Sequence, residues 1–233
     1  MVEQLRIKPR GPYSWAASLG MLASWQPVAH FPRRGDQIAL AFPLDRTFET
    51  AGVVLRAEGG EVIGSVARGP AEAVAGQVAR MLSVDVDATA YPEVTRRDPA
   101  IGRVMRAHPG LRPVLFPSPY EAAVWAVISQ RIAQRQAATA KAALSAEHGD
   151  AVELELGTVR SLPAPERLLK VSSARGLTPE KIERLHAVAR AALEGVLDAD
   201  HLKELGYEES LRVLQGIRGI GPFWSGGTCA RAV

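Results

Sequence analysis

The apolar residues of the first ninety positions follow helical and strand patterns in turn. Helical spacing predicts a helix over residues 15–25, which Pro27 ends. Three short apolar runs typical of strands follow, at 37–42, 50–57 and 61–66. Gly59-Gly60 separates the last two runs, as in a β-hairpin, and Pro70 begins a second helix. We therefore predict a small α+β domain with an antiparallel sheet over residues 1–88.

The pattern changes to helices after a polar stretch, residues 87–99, that contains two prolines. Ser118 and Pro119 form a strong helix start, because serine caps well and proline fits the first helical position. Glu121 is expected to return a hydrogen bond to the cap amide. Further helical runs lie at 132–144, 165–168, 178–195 and 210–214. We predict an all-α domain over residues 89–233.

Charge adds information only in the middle of the chain. The net charge is +3, yet residues 96–141 carry eight basic side chains against two acidic ones. The eight are Arg96, Arg97, Arg103, Arg106, Arg112, Arg131, Arg135 and Lys141. This basic band is either a surface for nucleic acid or a solvated helix face in an arginine-rich chain.

Composition excludes several classes of protein. With 47% hydrophobic and 23% charged residues, the chain is neither disordered nor a membrane protein. Cys229 is the one cysteine, which excludes a disulfide framework, and the five histidines show no metal-ligand spacing. The first ten residues are polar, so we expect no secretory signal and a cytoplasmic location.

The most informative stretch runs from Leu211 to Trp224. A helix ends there, Gly219 and Gly221 flank apolar Ile220 in a tight turn, and a new helix begins near Pro222. Glycines let the backbone approach a partner closely, and a helix N-terminus offers N–H groups to an anion. The turn suits a DNA phosphate. The alternative is a glycine-rich connection between helices that binds nothing.

The run from Gly219 to Trp224 resembles the helix-hairpin-helix of the base-excision DNA glycosylase superfamily. The resemblance is closest to the AlkA-type 3-methyladenine DNA glycosylases, and it continues at residues 11–15, 109–112, 126–130, 162–168 and 191–195. It implies an enzyme that flips a damaged base out of duplex DNA and hydrolyses its N-glycosidic bond. Members with lyase activity carry a lysine where this chain has Phe223, so a monofunctional hydrolase is expected.

The resemblance also implies roles for the hairpin between residues 211 and 231. The amides of Gly219 and Gly221 would hold a DNA phosphate. The backbone carbonyls of Gln215, Ile217 and Ile220 would hold a monovalent cation, Na⁺ or K⁺. No other cofactor is expected.

Two further pairs of residues receive roles from the resemblance. Gln130 and Arg131 occupy the loop from which a side chain fills the gap left by the flipped base, although Arg131 could instead be an ordinary surface arginine. Phe223 and Trp224 are candidates to stack on the flipped base. The alternative is core packing behind the hairpin, which we favour for Trp224.

The family's catalytic aspartate corresponds to a position past Val233, so the helical domain is expected to be C-terminally incomplete. Asp198 and Asp200 are predicted in a polar loop and Asp150 at a helix end, and none replaces the aspartate convincingly. The alternative function is therefore a non-catalytic DNA- or lesion-binding protein. The expected partner is double-stranded DNA with a damaged base. We expect a monomer without membrane contact, associated with the nucleoid if the source is a bacterium.

Overall fold

The computed structural model describes residues 3–28 and 30–230. Its first part contains a five-stranded antiparallel sheet in the order β1-β5-β4-β3-β2. The strands are β1 (Glu3–Ile7), β2 (Arg33–Arg34), β3 (Gln37–Pro43), β4 (Thr50–Glu58) and β5 (Glu61–Arg68). Two helices accompany them, α1 (Trp15–Ser24) and α2 (Ala71–Met81). The predicted strands and helices of this part are all present.

A second β-hairpin, which the sequence analysis did not predict, packs on the sheet. It consists of β6 (Ala151–Leu154) and β7 (Gly157–Arg160). Val152 and Val159 are buried in the hydrophobic core of the sheet. At Gly52 a Cβ atom would lie 2.5 Å from Val152 Cγ1, so glycine permits this close approach. The hairpin lies on the helical side of the division that the sequence predicts at residue 88. We therefore propose that the predicted domains, 1–88 and 89–233, meet along it.

The second hydrophobic core is built by helices. They are α3 (Tyr91–Arg97), α4 (Pro99–Ala107), α5 (Pro119–Ile128), α6 (Gln134–His148), α7 (Pro165–Leu168), α8 (Pro179–Leu193), α9 (Ala199–Leu205), α10 (Tyr207–Gln215) and α11 (Pro222–Ala230). Every residue of α5 is buried, which is possible because this helix is apolar nearly all round. Helix α5 packs against α6, α8 and α11 and is the centre of this core.

Two segments for which the sequence predicted no helix are helical. The polar stretch 87–99 contains α3, whose residues are all exposed or half-buried. Asp198 is not in a loop but caps α9, where its carboxylate accepts a hydrogen bond from the His201 amide at 2.8 Å. Asp200 lies in the first turn of the same helix. Negative side chains at a helix N-terminus are favourable, which explains both positions.

Arg112, a member of the basic band, is buried and faces no solvent. Its side chain is only 2% exposed. The guanidinium donates four hydrogen bonds of 2.6 to 3.0 Å to backbone carbonyls, those of Arg10, Pro12, Ser83 and Val86. This arrangement, the Arg112 clamp, joins the start of the chain to the end of α2, so Arg112 is not available to DNA.

Lys141 is the second member of the band that lies inside the protein. Its ammonium group is 3.2 Å from the Glu121 carboxylate and donates to the Pro27 carbonyl at 3.0 Å. Ser118 caps α5 as predicted, accepting from the Glu121 amide at 3.1 Å. The expected return bond from the Glu121 side chain is wrong, because that carboxylate pairs with Lys141 instead. Within residues 3–28 and 30–230, no helix is long and apolar enough to cross a membrane.

Candidate nucleic-acid interface and base pocket

The hairpin turn, residues 216–221, lies between α10 and α11. Gly219 has a φ of +100°, which glycine adopts without strain. Ile220 is 3% exposed and belongs to the second core, so it anchors the turn between the two helices. The apolar residue between the two glycines therefore points into the core.

The hydrogen bonds at the start of α11 bear on the predicted phosphate site. The Gly221 carbonyl accepts hydrogen bonds from the Trp224 and Ser225 amides. In the described part of the chain, the amides of Gly219 and Gly221 have no acceptor. A Cβ at Gly221 would meet nothing within 4 Å, so the space in front of this residue is open. Unpaired N–H groups at a helix N-terminus attract a phosphate.

The carbonyls assigned to a cation lie in and beside the same turn. The Ile217 carbonyl accepts the Ile220 amide at 2.9 Å, and the Gln215 side chain donates to Ser225 Oγ at 3.2 Å. Neutral carbonyl oxygens are hard ligands without charge, which fits a monovalent cation. Among the residues that the structure describes, no group of three or more His, Cys, Asp or Glu side chains could hold a metal ion.

The two residues assigned to duplex insertion occupy different environments. Both lie in the wedge loop, residues 129–133, between α5 and α6. Gln130 is half-buried, and its amide contacts Gly219 and Arg184. Arg131 is exposed and adopts a left-handed φ of +56°. Arg131 is therefore the one whose side chain can reach beyond the protein surface.

An aromatic pocket of about 150 Å³ opens beside the start of α11. Its aromatic residues are Trp25, Phe116, Trp125, Phe223 and Trp224. The rings of Trp25 and Phe116 meet edge to face at 4.6 Å, and those of Phe223 and Trp224 at 5.1 Å. Phe223 is 80% exposed, which is unusual for a phenylalanine that only packs in a core.

Sequence reasoning placed Phe223 and Trp224 in this region and missed the other three aromatic residues. Trp25 directly follows α1, Phe116 precedes α5 and Trp125 lies within α5. In the sequence these residues look like ordinary core positions, and only tertiary packing, which places Trp25 against Phe116 and the helical core, brings them together. No local signal could have separated them from other buried aromatics.

The pocket contains few polar groups. Thr228 is 2% exposed, and its hydroxyl has no hydrogen-bond partner among the described residues. Gln134 lies at the rim. Within the described chain, no aspartate or glutamate lines the pocket wall. The pocket is therefore suited to binding a flat ring, and its described residues offer no negative charge to a reacting sugar.

The three acidic residues considered as replacements for the aspartate are engaged elsewhere, and Asp200 pairs with Arg46 at 2.9 Å. Asp150 accepts from the Thr50 hydroxyl and from Arg167, each at 2.7 Å, and the Thr50 bond is the main cause that lowers its pKa. Asp198 is bound by Arg46 at 2.5 Å, and this contact holds the pKa of its carboxyl below the usual range. These carboxylates join distant segments and do not face the aromatic pocket.

A larger polar cleft of about 650 Å³ lies between the loop after β3 and helix α9. Its charged side chains largely pair with one another: Arg46 with Asp198 and Asp200, Arg80 with Asp45, and Lys203 with Asp85. Burial raises the pKa of the Asp45 carboxyl despite its contact with Arg80. Because most charged groups of the cleft are paired with one another, we interpret the cleft as a structural junction between segments. The aromatic pocket is the better candidate site.

The fold is that of the helix-hairpin-helix DNA glycosylases. The solved structure of 3-methyladenine DNA-glycosylase from Archaeoglobus fulgidus is similar, with a TM-score of 0.77 and 20% identity, over 97% of this chain and 79% of that one. An 8-oxoguanine glycosylase/lyase from Clostridium acetobutylicum, solved with double-stranded DNA, is similar over 100% of this chain and 78% of its own, with a TM-score of 0.64 and 13% identity.

The sequence comparison points to the same group. DNA-3-methyladenine glycosylase of Bacillus subtilis (strain 168) is 28% identical over 144 residues, which are 60% of this chain and 48% of that protein. The chain thus matches about half the length of this curated relative. No protein-family model matches. The resemblance to the superfamily and the α+β fold class predicted from the sequence are confirmed.

Proposed function

We propose that the protein is a base-excision repair DNA glycosylase that acts on alkylated bases such as 3-methyladenine in double-stranded DNA. The observation that carries this proposal is the aromatic pocket beside the hairpin turn. Phe223 and Trp224 follow Gly221 by two and three residues, so one helix start serves both the phosphate and the base. We further propose that the protein acts as a monomer in the cytoplasm, at the nucleoid if its source is a bacterium.

The hairpin turn holds the DNA backbone in this proposal. The amides of Gly219 and Gly221 bind one phosphate beside the lesion, supported by their lack of acceptors within the described chain. A Na⁺ or K⁺ ion bound by the carbonyls of Gln215, Ile217 and Ile220 would add positive charge there. Its chemistry would be electrostatic, and it takes no part in bond cleavage.

The wedge loop stabilises the flipped state. Arg131 is exposed, and its guanidinium can stack on the bases that flank the gap. Gln130 supports the loop from within. The unstacking of a base costs a few kcal/mol, and a side chain that fills the gap offsets part of this cost.

The aromatic pocket selects electron-poor bases. An alkylated purine such as 3-methyladenine carries positive charge on its ring, which aromatic faces attract. Phe223 is exposed and can stack on the base, whereas Trp224 is half-buried and supports Phe223 from its edge. Gln134 at the rim supplies a polar contact, and the buried Thr228 hydroxyl lies in the pocket wall.

The described residues favour hydrolysis over a lyase reaction. Phe223 has no amine and cannot form a Schiff base with the sugar, so water is the nucleophile. Cleavage also needs negative charge near the sugar as it becomes cationic. The lack of a carboxylate in the described pocket wall favours a second candidate function, lesion binding without cleavage.

Two measurements test the proposal and separate the candidates. The first is affinity for a duplex with a single tetrahydrofuran abasic site against the same duplex undamaged, at several salt concentrations. The second is release of 3-methyladenine from methylated duplex DNA. We expect salt-dependent binding that prefers the abasic duplex. Phe223→Ala should preserve folding, because the side chain is exposed, and should reduce binding to a duplex with an alkylated base.

The outcomes are distinct. Release of the base establishes the glycosylase, and abasic preference without release establishes the lesion-binding alternative. No binding to either duplex at low salt would refute both candidates.

A further inference from the structure

The wedge loop and the hairpin turn are joined by one side chain, although they are 89 positions apart. Gln130 Nε2 donates to the Gly219 carbonyl at 2.6 Å, and Gln130 Oε1 accepts from Arg184 Nη1 at 2.5 Å. Both ends of the amide are therefore engaged, which fixes its orientation. The Gly219 carbonyl belongs to the residue whose amide is assigned to the phosphate.

Arg184 on α8 supports both sides of this junction. Its aliphatic carbons pack against Gly219, where a Cβ atom would lie 2.9 Å from Arg184 Cδ. Its guanidinium binds Gln130 and also Glu180 on its own helix. Glycine is thus required at 219 by the φ of +100° and by this contact.

Two more contacts connect the first turns of α8 to the same segments. Lys181 Nζ donates to the carbonyl of Ile128, the last residue of α5, at 2.5 Å. Arg218 of the hairpin turn pairs with Glu183 at 3.1 Å, although both side chains are well exposed. Helix α8 therefore contacts the segment before the wedge loop and the hairpin turn at the same time.

We propose that Arg184 is a positioning residue that, through Gln130, holds the hairpin turn and the wedge loop at one fixed separation. The inference rests on the proposed function, because the proposed function assigns the hairpin turn to phosphate binding and the wedge loop to filling the gap. A phosphate bound at Gly219 and a side chain inserted from Arg131 then act together on a distorted duplex. An undistorted duplex, which needs no insertion, does not benefit from the fixed separation.

The test compares Arg184→Met with Arg190→Met. Both remove one positive charge from α8, which matters because DNA affinity depends on the number of charges. Methionine keeps an apolar stem against Gly219 but cannot bind Gln130. Arg190 is exposed and lies six residues away, so it is the matched control. Gln130→Met and the double variant with Arg184→Met complete a cycle.

Affinities for the abasic and undamaged duplexes are measured at one salt concentration. We expect Arg190→Met to weaken both by the same factor. Arg184→Met should weaken binding to the abasic duplex by about tenfold more than binding to the undamaged one, because a charge-assisted hydrogen bond is lost. Gln130→Met should give the same loss, and the double variant should lose little more. Unchanged abasic preference in Arg184→Met, or additive losses in the double variant, would overturn the inference.

Amide hydrogen exchange in the free protein separates this inference from the proposed function. Exchange at 129–133 and 216–221 should accelerate in Arg184→Met and not in Arg190→Met. If the unchanged chain binds neither duplex, the proposed function fails. The exchange measurement then still tests whether Arg184 holds the two segments together. Equal exchange in both variants would overturn this role, and faster exchange in Arg184→Met alone would support it.

Discussion

The Arg112 clamp and the wedge loop both come from the basic band, yet they use arginine in opposite ways. Arg112 is 2% exposed and donates to four backbone carbonyls, so its guanidinium is fully engaged inside the protein. Arg131 is exposed in the wedge loop, whose neighbouring residue Gln130 is hydrogen-bonded to Gly219. Local charge density therefore does not define a binding surface. What matters is whether the surrounding backbone already satisfies the donors of each arginine.

The largest expected effect is on stability, in Arg112→Met. Four carbonyls around a buried site would lose their donor, and we expect the free energy of unfolding to fall by about 3–5 kcal/mol. Urea denaturation measures the change. Arg106→Met, at an exposed position of α4, is the control and should change stability by less than about 0.5 kcal/mol. If both variants lost the same free energy of unfolding, the buried Arg112 would contribute no more to stability than an exposed arginine of the basic band.

Arg131→Gly should have the opposite effect, with a loss of DNA affinity and no loss of stability. Glycine tolerates the left-handed φ of +56°, so the free energy of unfolding should stay unchanged or rise by less than about 1 kcal/mol. Affinity for the abasic duplex should fall by about tenfold, because stacking in the gap is lost. Urea denaturation and equilibrium binding check the two expectations. A clear loss of stability would mean that Arg131 is also structural.

The smallest expected effect is on stability, in a variant of Arg46. Like Arg131 it is exposed and left-handed, with a φ of +64°, but it binds Asp198 and Asp200. The Arg46 hydrogen bond lowers the pKa of Asp198, so the stabilisation is present above the ordinary carboxyl pKa and is lost as pH falls below it.

The measurement for Arg46 is urea denaturation of Arg46→Met and the unchanged protein between pH 2 and 7. The unchanged protein should be slightly more stable at neutral pH, and the two should converge in acid. DNA affinity should change little compared with Arg131→Gly. A stability difference that is independent of pH would contradict the role of the Asp198 pair.

Much of the fold could be predicted from local patterns. The strands β3, β4 and β5 are apolar runs between turn residues, and Ser118 with Pro119 marks the start of α5. The hairpin β6–β7 escaped prediction because its strands have only four residues each and are stabilised by the sheet on which they pack. Helix α9 escaped because its polar sequence resembles a loop, and its cap at Asp198 is a weak signal alone.

The sequence by itself determined the turn at Gly219 and Gly221 and the helix that follows it. These features depend on neighbours in the chain, since glycine conformation, proline placement and helix ends are local properties. The tertiary structure alone decided which charges face solvent and which aromatics form a pocket. Arg112, Lys141, Trp25 and Phe116 have their roles because distant segments meet them, and burial depends on such long-range packing.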